Sequence, residues 1–159
     1  TEFMSLTKGF GIINHTFDHY APVVPGKVGG RHQGVLVSME NGKATTYGMM
    51  GVEDRGTLFV EPGTEVYEGM IVGENTRDND ITVNITKQKQ KTNIRSANKD
   101  QTNVIKKPRI LTLEEALEYL SDDEYLEVTP ESIRLRKQIL DKGERERVAK
   151  KKKFAELEN

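Results

Sequence analysis

A strand pattern that turns cationic, with no turn residues in between, constrains this chain more than any other feature of its sequence. The stretch ITVNITKQKQKTNIRSANK covers residues 81–99. It begins with strict alternation, which places Ile81, Val83 and Ile85 on one face of a half-buried strand. The same face then continues as a row of lysines at Lys87, Lys89 and Lys91. The sequence therefore predicts a strand that is anchored in a core and runs on into a segment that cannot enter it.

The segment after this strand is long and almost free of apolar residues. About 25 residues separate Ile85 from Leu111, more than the roughly 12 to 15 usual for an unstructured connection in a compact domain. Residues 87–109 carry eight Lys or Arg against the single acid Asp100. Composition alone favours a solvated, mobile loop. The length of the segment, and the amide and hydroxyl side chains between its lysines, favour a function in RNA binding. Aromatic rings for base stacking are missing from it, so contacts with the phosphates and the shape of the RNA fit better than base stacking.

The net charge of −1 conceals further blocks of charge. Residues 112–131 carry eight acids and no base, and residues 134–153 carry ten bases against three acids. Such segregation indicates a face built for a polyanion rather than a protein that is basic overall. The acidic block is either an ordinary surface helix or a face for a basic protein partner. The lysine run 150–153 is typical of a terminal tail.

A second set of cations lies on what reads as the polar face of an amphipathic strand. Ile133 and Leu135 alternate with polar residues, as a half-buried strand requires. The cations of this set are Arg134, Arg136 and Lys137. A solvated sheet face, pairing with the acids at 114–131 and contact with RNA all stay open for them.

Turn and capping signals predict an α+β fold for the rest of the chain. Residues 9–20 alternate as a strand, and Asn41-Gly42 predicts a hairpin because a type I′ turn needs positive φ at both central positions. Thr112 with Glu115 forms a capping box, which predicts a short helix. Short strands broken at Gly56, Pro62-Gly63 and Gly69 predict a small bent, mostly antiparallel sheet or partial barrel, with short C-terminal helices and the long basic loop.

Residues for catalysis or metal binding form no convincing constellation. The chain has no cysteine, which excludes a disulfide framework or a Cys-based zinc site and fits a reducing cytoplasm. His15 and His19 share a strand face while Asp18 points away, so a structural role is favoured over a metal site. His32 is either exposed or in contact with RNA. Neither glycine-lysine pair, at 26–27 or 42–43, fits a phosphate-binding loop, and no apolar run approaches the roughly 20 residues of a membrane span.

Three stretches resemble known ribosome-binding proteins. SLTKGFGIINHTFDHY, residues 5–20, resembles the closing helix and strand of the fifth domain of elongation factor G and LepA. The stretch from NGKATTYGMMGVEDRGTLFV through KQKQKTNIRS, residues 41–96, is similar to the family-specific C-terminal domain of the BipA/TypA translational GTPases, and so is LTLEEALEYLSDDEYLEVTPESIRLRK, residues 111–137.

The resemblance implies a domain organisation. Residues 1–24 correspond to a remnant of the elongation-factor-G-like fifth domain, 25–32 to a linker, 33–142 to the family-specific RNA-binding domain and 143–159 to a charged tail. The GTPase domain, the β-barrel domain and most of the fifth domain are missing, so we expect a C-terminal fragment without catalytic residues. No cofactor is expected in the chain itself, since GTP and magnesium belong to the absent GTPase domain.

The resemblance also implies partners. Family members are cytoplasmic bacterial GTPases that bind the ribosome and are linked to stress adaptation and large-subunit assembly. Their long loop, here about Lys87 to Val104, contacts large-subunit rRNA and the acceptor end of A-site tRNA. Ribosomal proteins are further candidate partners, and we expect a monomer that does not bind membranes. The RNA-binding candidates are Lys87, Lys89, Lys91, Asn93, Arg95, Lys99, Lys106 and Lys107, followed by the second set.

Overall fold

The structure is a computed structural model that describes residues 2–23, 30–88 and 105–157. Its helices are α1 (Glu2–Leu6), α2 (Thr46–Met50), α3 (Leu113–Tyr119) and α4 (Lys142–Leu157), with a 3₁₀ turn at Glu53–Arg55. Its strands are β1 (Val35–Ser38), β2 (Gly42–Lys43), β3 (Gly56–Leu58), β4 (Glu65–Val66), β5 (Met70–Asn75), β6 (Ile81–Val83), β7 (Glu124–Val128) and β8 (Ile133–Lys137). The predicted α+β class is confirmed.

The main sheet is open and mostly antiparallel. Its order is β6-β1-β5-β8-β7, and β3 pairs with the second half of β5 while β8 pairs with the first half. Only the β1–β6 pair is parallel among the strand pairs of the described residues. A separate two-stranded ladder joins β2 to β4. The predicted small, mostly antiparallel sheet is confirmed, and it does not close into a barrel.

The central strands β1 and β5 are buried on both faces, because each face carries its own apolar cluster. One cluster contains Leu36 and Val72, and α2 covers it through Met49. The other contains Val35 and Ile71 and lies under α3. These strands are therefore almost continuously hydrophobic, as strands covered on both sides are.

The strand predicted over residues 9–20 is wrong. The structure has no regular secondary structure there, and Phe10, Ile12 and Phe17 are exposed. A strand needs a neighbour to pair its backbone donors and acceptors. Among the described residues no strand pairs with this segment. Its alternating pattern of apolar residues therefore does not produce a strand.

The predicted hairpin around Asn41-Gly42 is also wrong. β1 pairs with β5 and β6, whereas β2 pairs with β4. The Asn41 side chain instead accepts a hydrogen bond from the Glu68 amide at 2.8 Å. The residues expected to form the second strand form α2, because Thr45 caps it by accepting a hydrogen bond from the Gly48 amide.

Several local predictions are confirmed. The capping box of α3 has both of its hydrogen bonds, from the Glu115 amide to Thr112 and from the Thr112 amide back to Glu115. The turn at Gly69 needs that glycine, because its φ is +85° and a Cβ would lie 2.7 Å from the Cα of Leu140. The charged residues from 143 onward, predicted as a tail, form helix α4, which runs through the lysine run to Leu157.

Candidate nucleic-acid interface

The strand that leads into the basic segment is held in the core up to its last apolar residue. Val83 and Ile85 are buried, while Lys87 is exposed. The Ile85 carbonyl accepts a hydrogen bond from the Thr45 amide at 2.8 Å, and the Thr45 hydroxyl donates to the Lys87 carbonyl at 2.5 Å. The cap residue of α2 therefore fixes the point at which the chain leaves the core. We call residues 84–87 the outgoing stem.

Helix α2 packs directly against this stem. A Cβ on Gly48 would lie 2.4 Å from the carbonyl oxygen of Ile85, closer than Cβ atoms approach another heavy atom in proteins. The position therefore accepts only glycine while helix and stem keep this spacing. The sequence pattern did not reveal this contact, because Gly48 and Ile85 are far apart along the chain.

The chain returns from the basic segment to the same core. Ile105 packs against the cluster that contains Ile85. The Lys106 amide donates to the Glu53 carboxylate, and the Arg109 amide donates to the Leu58 carbonyl at 2.8 Å. We call residues 105–109 the returning stem. Both ends of the basic segment are thus anchored on one apolar cluster.

The candidate cations that the structure describes in this segment are free for a ligand. Lys87, Lys106 and Lys107 are exposed, and none of them forms an ion pair within residues 2–23, 30–88 and 105–157. Lys106 and Lys107 line a groove of about 420 Å³ with Glu53, Asp54 and other residues near β3. The remaining candidates lie outside the described residues, and their roles stay predictions: Lys89, Lys91, Asn93, Arg95 and Lys99.

The second set of cations is mostly paired with acids. The Nε of Arg136 lies 2.7 Å from the Glu127 carboxylate, and its guanidinium lies over the Tyr125 ring at 5.1 Å. Arg134 stands opposite Glu127 in the β7–β8 ladder and is half-buried. The predicted pairing with the acids at 114–131 is therefore found for Arg136 and also for Lys137, whereas Arg134 is only half-buried.

Lys137 does not lie on an exposed face, so its predicted position is wrong. Lys137 lies two residues after Leu135 in β8, so its side chain points to the same, covered side of the sheet. Only 2% of the residue is exposed there. Its ammonium lies 2.6 to 2.9 Å from three carboxylates, those of Asp80, Asp123 and Glu124. Burial by itself lowers the pKa of Lys137, but hydrogen bonds to Asp123 and Asp80 outweigh it and raise the pKa. An RNA contact by Lys137 stays a prediction that this position does not favour.

Arg31 completes this group of charges, in which Glu124 and Lys137 are buried while Asp80 and Asp123 lie at its exposed edge. Its guanidinium forms two hydrogen bonds to Glu124, at 2.7 and 2.9 Å, and a third to the Tyr119 carbonyl at 3.0 Å. It also lies 4.4 Å above the Tyr119 ring. Burial alone raises the pKa of Glu124, but the hydrogen bonds and charges of Arg31 and Lys137 lower it below its ordinary value. We call Arg31, Asp80, Asp123, Glu124 and Lys137 the buried ion cluster.

Sequence reasoning missed Arg31 because no local signal marks it. The residue sits in the glycine-rich stretch that predicts a linker, next to His32, which is exposed. Its partner Glu124 is 93 positions away. A lone cation beside a glycine pair carries no indication of a partner that remote.

The histidine and aspartate candidates do not form a metal site. His15, Asp18 and His19 are all exposed, and His19 Nδ1 lies 2.7 Å from the Asp18 carboxylate. Within the part of the chain that the structure describes, no three His, Cys, Asp or Glu side chains are grouped so that they could hold a metal ion. No helix in those residues is long and apolar enough to cross a membrane.

Taken together, these features define a class: an α+β domain with free lysines where a cationic segment leaves and rejoins its core. The TypA/BipA C-terminal domain model matches residues 33–142. The large ribosomal subunit assembly factor BipA of Bacillus subtilis is 73% identical over 157 residues, which cover 99% of this chain and 26% of that protein. The factors of the same name from Escherichia coli K12 and Haemophilus influenzae are 48% and 44% identical over 92% of the chain, and 24% of each protein.

The chain belongs to the TypA/BipA C-terminal domain family, because the family model covers more than half of it. It spans about a quarter of the length of these relatives.

Proposed function

We propose that this chain is the noncatalytic RNA-binding module of a TypA/BipA-type factor for large-ribosomal-subunit assembly. The segment between the two stems contacts large-subunit rRNA and the acceptor end of A-site tRNA. The module acts as a monomer on cytoplasmic ribosomes, within a parent protein that takes part in stress adaptation. GTP and magnesium are bound by a separate GTPase domain of that parent, and the module itself needs no cofactor.

One observation carries this proposal: both stems are anchored on the same apolar cluster, through Ile85 and Ile105. The basic segment therefore starts and ends at one fixed place on the domain. Its described flanking cations, Lys87, Lys106 and Lys107, are exposed and unpaired with acids in the described part of the chain. A cationic segment held at its base fits phosphate contacts, which position a protein on RNA without reading its sequence.

The comparisons support the choice of ligand. The relatives at 73%, 48% and 44% identity are named large ribosomal subunit assembly factors. A factor of that kind works on a particle made largely of RNA, and cations without acidic partners match its phosphates.

The test is co-sedimentation of the chain with large ribosomal subunits over a salt series. The variant Lys87→Ala, Lys89→Ala, Lys91→Ala, Arg95→Ala removes four cations of the segment. If each contacts a phosphate, the slope of log K against log salt becomes shallower by about 3 to 4 units, since each contact contributes roughly 0.7 to 0.9.

A matched variant removes four exposed cations elsewhere: Lys8→Ala, Lys43→Ala, Arg55→Ala and Arg77→Ala. It has the same net charge as the first variant and is expected to keep the wild-type slope. Equal slopes for the wild type and the first variant would remove the segment from the interface.

A second candidate function is docking on a basic ribosomal protein through α3. Glu114 and Glu118 are exposed on this helix, whereas Glu115 is engaged by the Thr112 amide and lies 3.8 Å from Arg109. Glu114→Lys with Glu118→Lys therefore reverses charge without breaking the cap. Weaker sedimentation of this variant would support the docking function, and unchanged sedimentation would support RNA binding through the basic segment.

A further inference from the structure

Helix α4 is a basic element that the family model does not cover. It spans Lys142–Leu157, and the model ends at residue 142. The helix is joined to the body through its first turn, where the Lys142 amide donates to Glu68 at 3.2 Å. Arg145 donates to the Ile139 carbonyl at 2.9 Å. These bonds hold the start of the helix on the domain.

One face of α4 points away from this attachment. Arg145 is half-buried, and at 3.6 residues per turn Arg147 lies on nearly the opposite side of the helix. Lys150, Lys151 and Phe154 follow Arg147 at spacings of three, four and seven residues, so they share its face. All four are exposed, and 68% of Phe154 is accessible. We call Arg147, Lys150, Lys151 and Phe154 the outer face of α4.

The cations of the outer face lie close enough to repel one another, and the ion pair described in this helix, between Lys142 and Glu146 at 3.8 Å, includes none of them. Like charges three or four residues apart destabilise a helix, and Arg147 stands in that relation to both Lys150 and Lys151. Among the described residues, none of the cations from Arg147 to Lys153 pairs with a carboxylate. A polyanion on this face would remove the repulsion.

The outer face suits RNA better than a lipid surface. A helix that lies on a membrane needs a continuous apolar stripe. Val148 and Phe154, the apolar side chains larger than alanine that are described in α4, lie about 120° apart around the helix. The face instead places one aromatic ring among three cations. That combination binds phosphates electrostatically and stacks an unpaired base, as proteins that bind single-stranded RNA do.

We propose that the outer face of α4 is a second RNA-binding surface, which holds the phosphodiester backbone of a single-stranded stretch and stacks one base on Phe154. The proposal rests on the proposed function for its class of ligand. It uses none of the residues of the basic segment, so the two surfaces are separable by mutation.

The experiment measures binding of the whole chain to a labelled single-stranded uridine oligonucleotide by fluorescence anisotropy over a salt series. The variant Arg147→Ala, Lys150→Ala, Lys151→Ala is expected to bind about tenfold more weakly at ~0.1 M salt, with a slope shallower by roughly 2 units. Alanine favours helix, so circular dichroism is expected to show α4 intact.

The matched control is Lys142→Ala, Lys152→Ala, Lys153→Ala. It removes the same number of charges from the same helix but from the other side. It is expected to bind more tightly than the outer-face variant. Equal losses in the two variants would show that only net charge matters and would overturn the proposal, as would wild-type binding by the outer-face variant.

A third variant, Phe154→Ala, tests the stacking role. It is expected to weaken binding about fivefold or more while the salt slope stays unchanged, because stacking releases no counterions. An unchanged affinity would show that Phe154 does not stack on a base of the bound RNA. Tighter binding of the wild type to phosphatidylserine vesicles than to the oligonucleotide would assign the face to lipid and overturn the proposal.

The variant that lacks Lys87, Lys89, Lys91 and Arg95 distinguishes this proposal from the proposed function. If it binds the oligonucleotide like the wild type while the outer-face variant does not, the helix surface is supported by itself, and co-sedimentation with large subunits then decides separately whether the basic segment binds RNA. If the outer-face variant alone keeps wild-type affinity, the helix surface fails by itself. A wild type that binds no RNA would overturn both.

Discussion

At the scale of single residues, the buried ion cluster joins parts of the chain that are remote in sequence. Arg31 comes from the stretch before β1, and Asp80 directly precedes β6. Asp123 directly precedes β7, Glu124 begins it, and Lys137 ends β8. The side chain of Glu124 is fully buried and that of Lys137 is 3% exposed. Charges this deep are tolerated only when they are paired and hydrogen-bonded.

Lys137→Met is expected to lower the free energy of unfolding by about 3 kcal/mol, because it leaves Glu124 buried with Arg31 as its one cationic partner in the cluster. The measurement is urea denaturation at neutral pH. Lys43→Met, at an exposed position, is the control and is expected to change the free energy of unfolding by less than about 0.5 kcal/mol. An unchanged midpoint for Lys137→Met would contradict the structural role assigned to the cluster.

The same cluster predicts how stability depends on pH. The pKa of Glu124 is lowered in the folded state, so its contribution is present above its unfolded pKa of about 4.3 and is lost as pH falls through the lower folded value. The pKa of Lys137 is raised, so its contribution is present below about 10.4 and is lost as pH rises through the higher folded value.

Glu124→Gln is therefore expected to be less stable than the wild type near neutral pH, with a difference that shrinks below about pH 4. There the wild-type carboxyl becomes protonated and resembles the amide. Urea midpoints measured from neutral to acid pH provide the check. A difference that stays constant over this range would show that Glu124 is not the titrating group.

At the scale of elements, α2 sets the position of the outgoing stem. Its cap, Thr45, is hydrogen-bonded to the carbonyls of Ile85 and Lys87, and Gly48 lets the helix approach Ile85. A short helix of this kind has little stability of its own. It forms because the stem and the apolar cluster hold it in place.

Gly48→Ala is expected to destabilise the fold by about 1 to 3 kcal/mol, because the clash with the Ile85 carbonyl outweighs the helical preference of alanine. Gly51→Ala is the control, since its φ is −68° and a Cβ there would lie 3.5 Å from its nearest neighbour. That change is expected to be neutral or stabilising. Thermal unfolding of both variants makes the comparison, and equal Tm values would contradict direct packing of α2 on the stem.

At the scale of the whole molecule, part of the acidic block is neutralised inside the fold by Arg136 and Lys137 of the second basic block. Glu115 caps α3, Glu124 joins the buried ion cluster, and Glu127 binds both Arg136 and the Tyr67 hydroxyl. Exposed cations that form no ion pair in the described residues remain on the stems and on α4, and also at Lys8, Lys43, Arg55 and Arg77. A net charge near zero conceals a molecule with positive surfaces that are available to a polyanion.

Replacing residues 90–103 by a Gly/Ser sequence of equal length is expected to leave Tm within a few degrees of the wild type. The reason is that the anchoring contacts of Ile85 and Ile105 lie outside the replaced range. Thermal unfolding and co-sedimentation with large subunits measure the two properties separately. Binding to large subunits is expected to weaken while Tm stays nearly unchanged. A large drop in Tm would show that the replaced residues contribute to the core.

Features that depend on near neighbours could be predicted from the sequence. The capping box of Thr112 and Glu115 forms across a single turn, and the alternation of Ile81, Val83 and Ile85 follows from the period of a strand. The same reasoning placed Lys87 outside the core, where the structure has it exposed. The resemblance of residues 41–96 and 111–137 to the TypA/BipA C-terminal domain is confirmed by the family match over residues 33–142.

Features that depend on remote partners were decided only by the tertiary structure. Asn41-Gly42 does not form a hairpin, because β1 pairs with β5 and β6. The strand predicted over residues 9–20 is absent, because no strand among the described residues pairs with that segment. Lys137 and Arg31 are buried because acids from distant positions meet them. The sequence by itself determined the local geometry, the charge blocks and the family. The physical reason for the division is that a strand or a buried charge is stable only in contact with its partner. The tertiary structure decides which remote residues are brought into that contact.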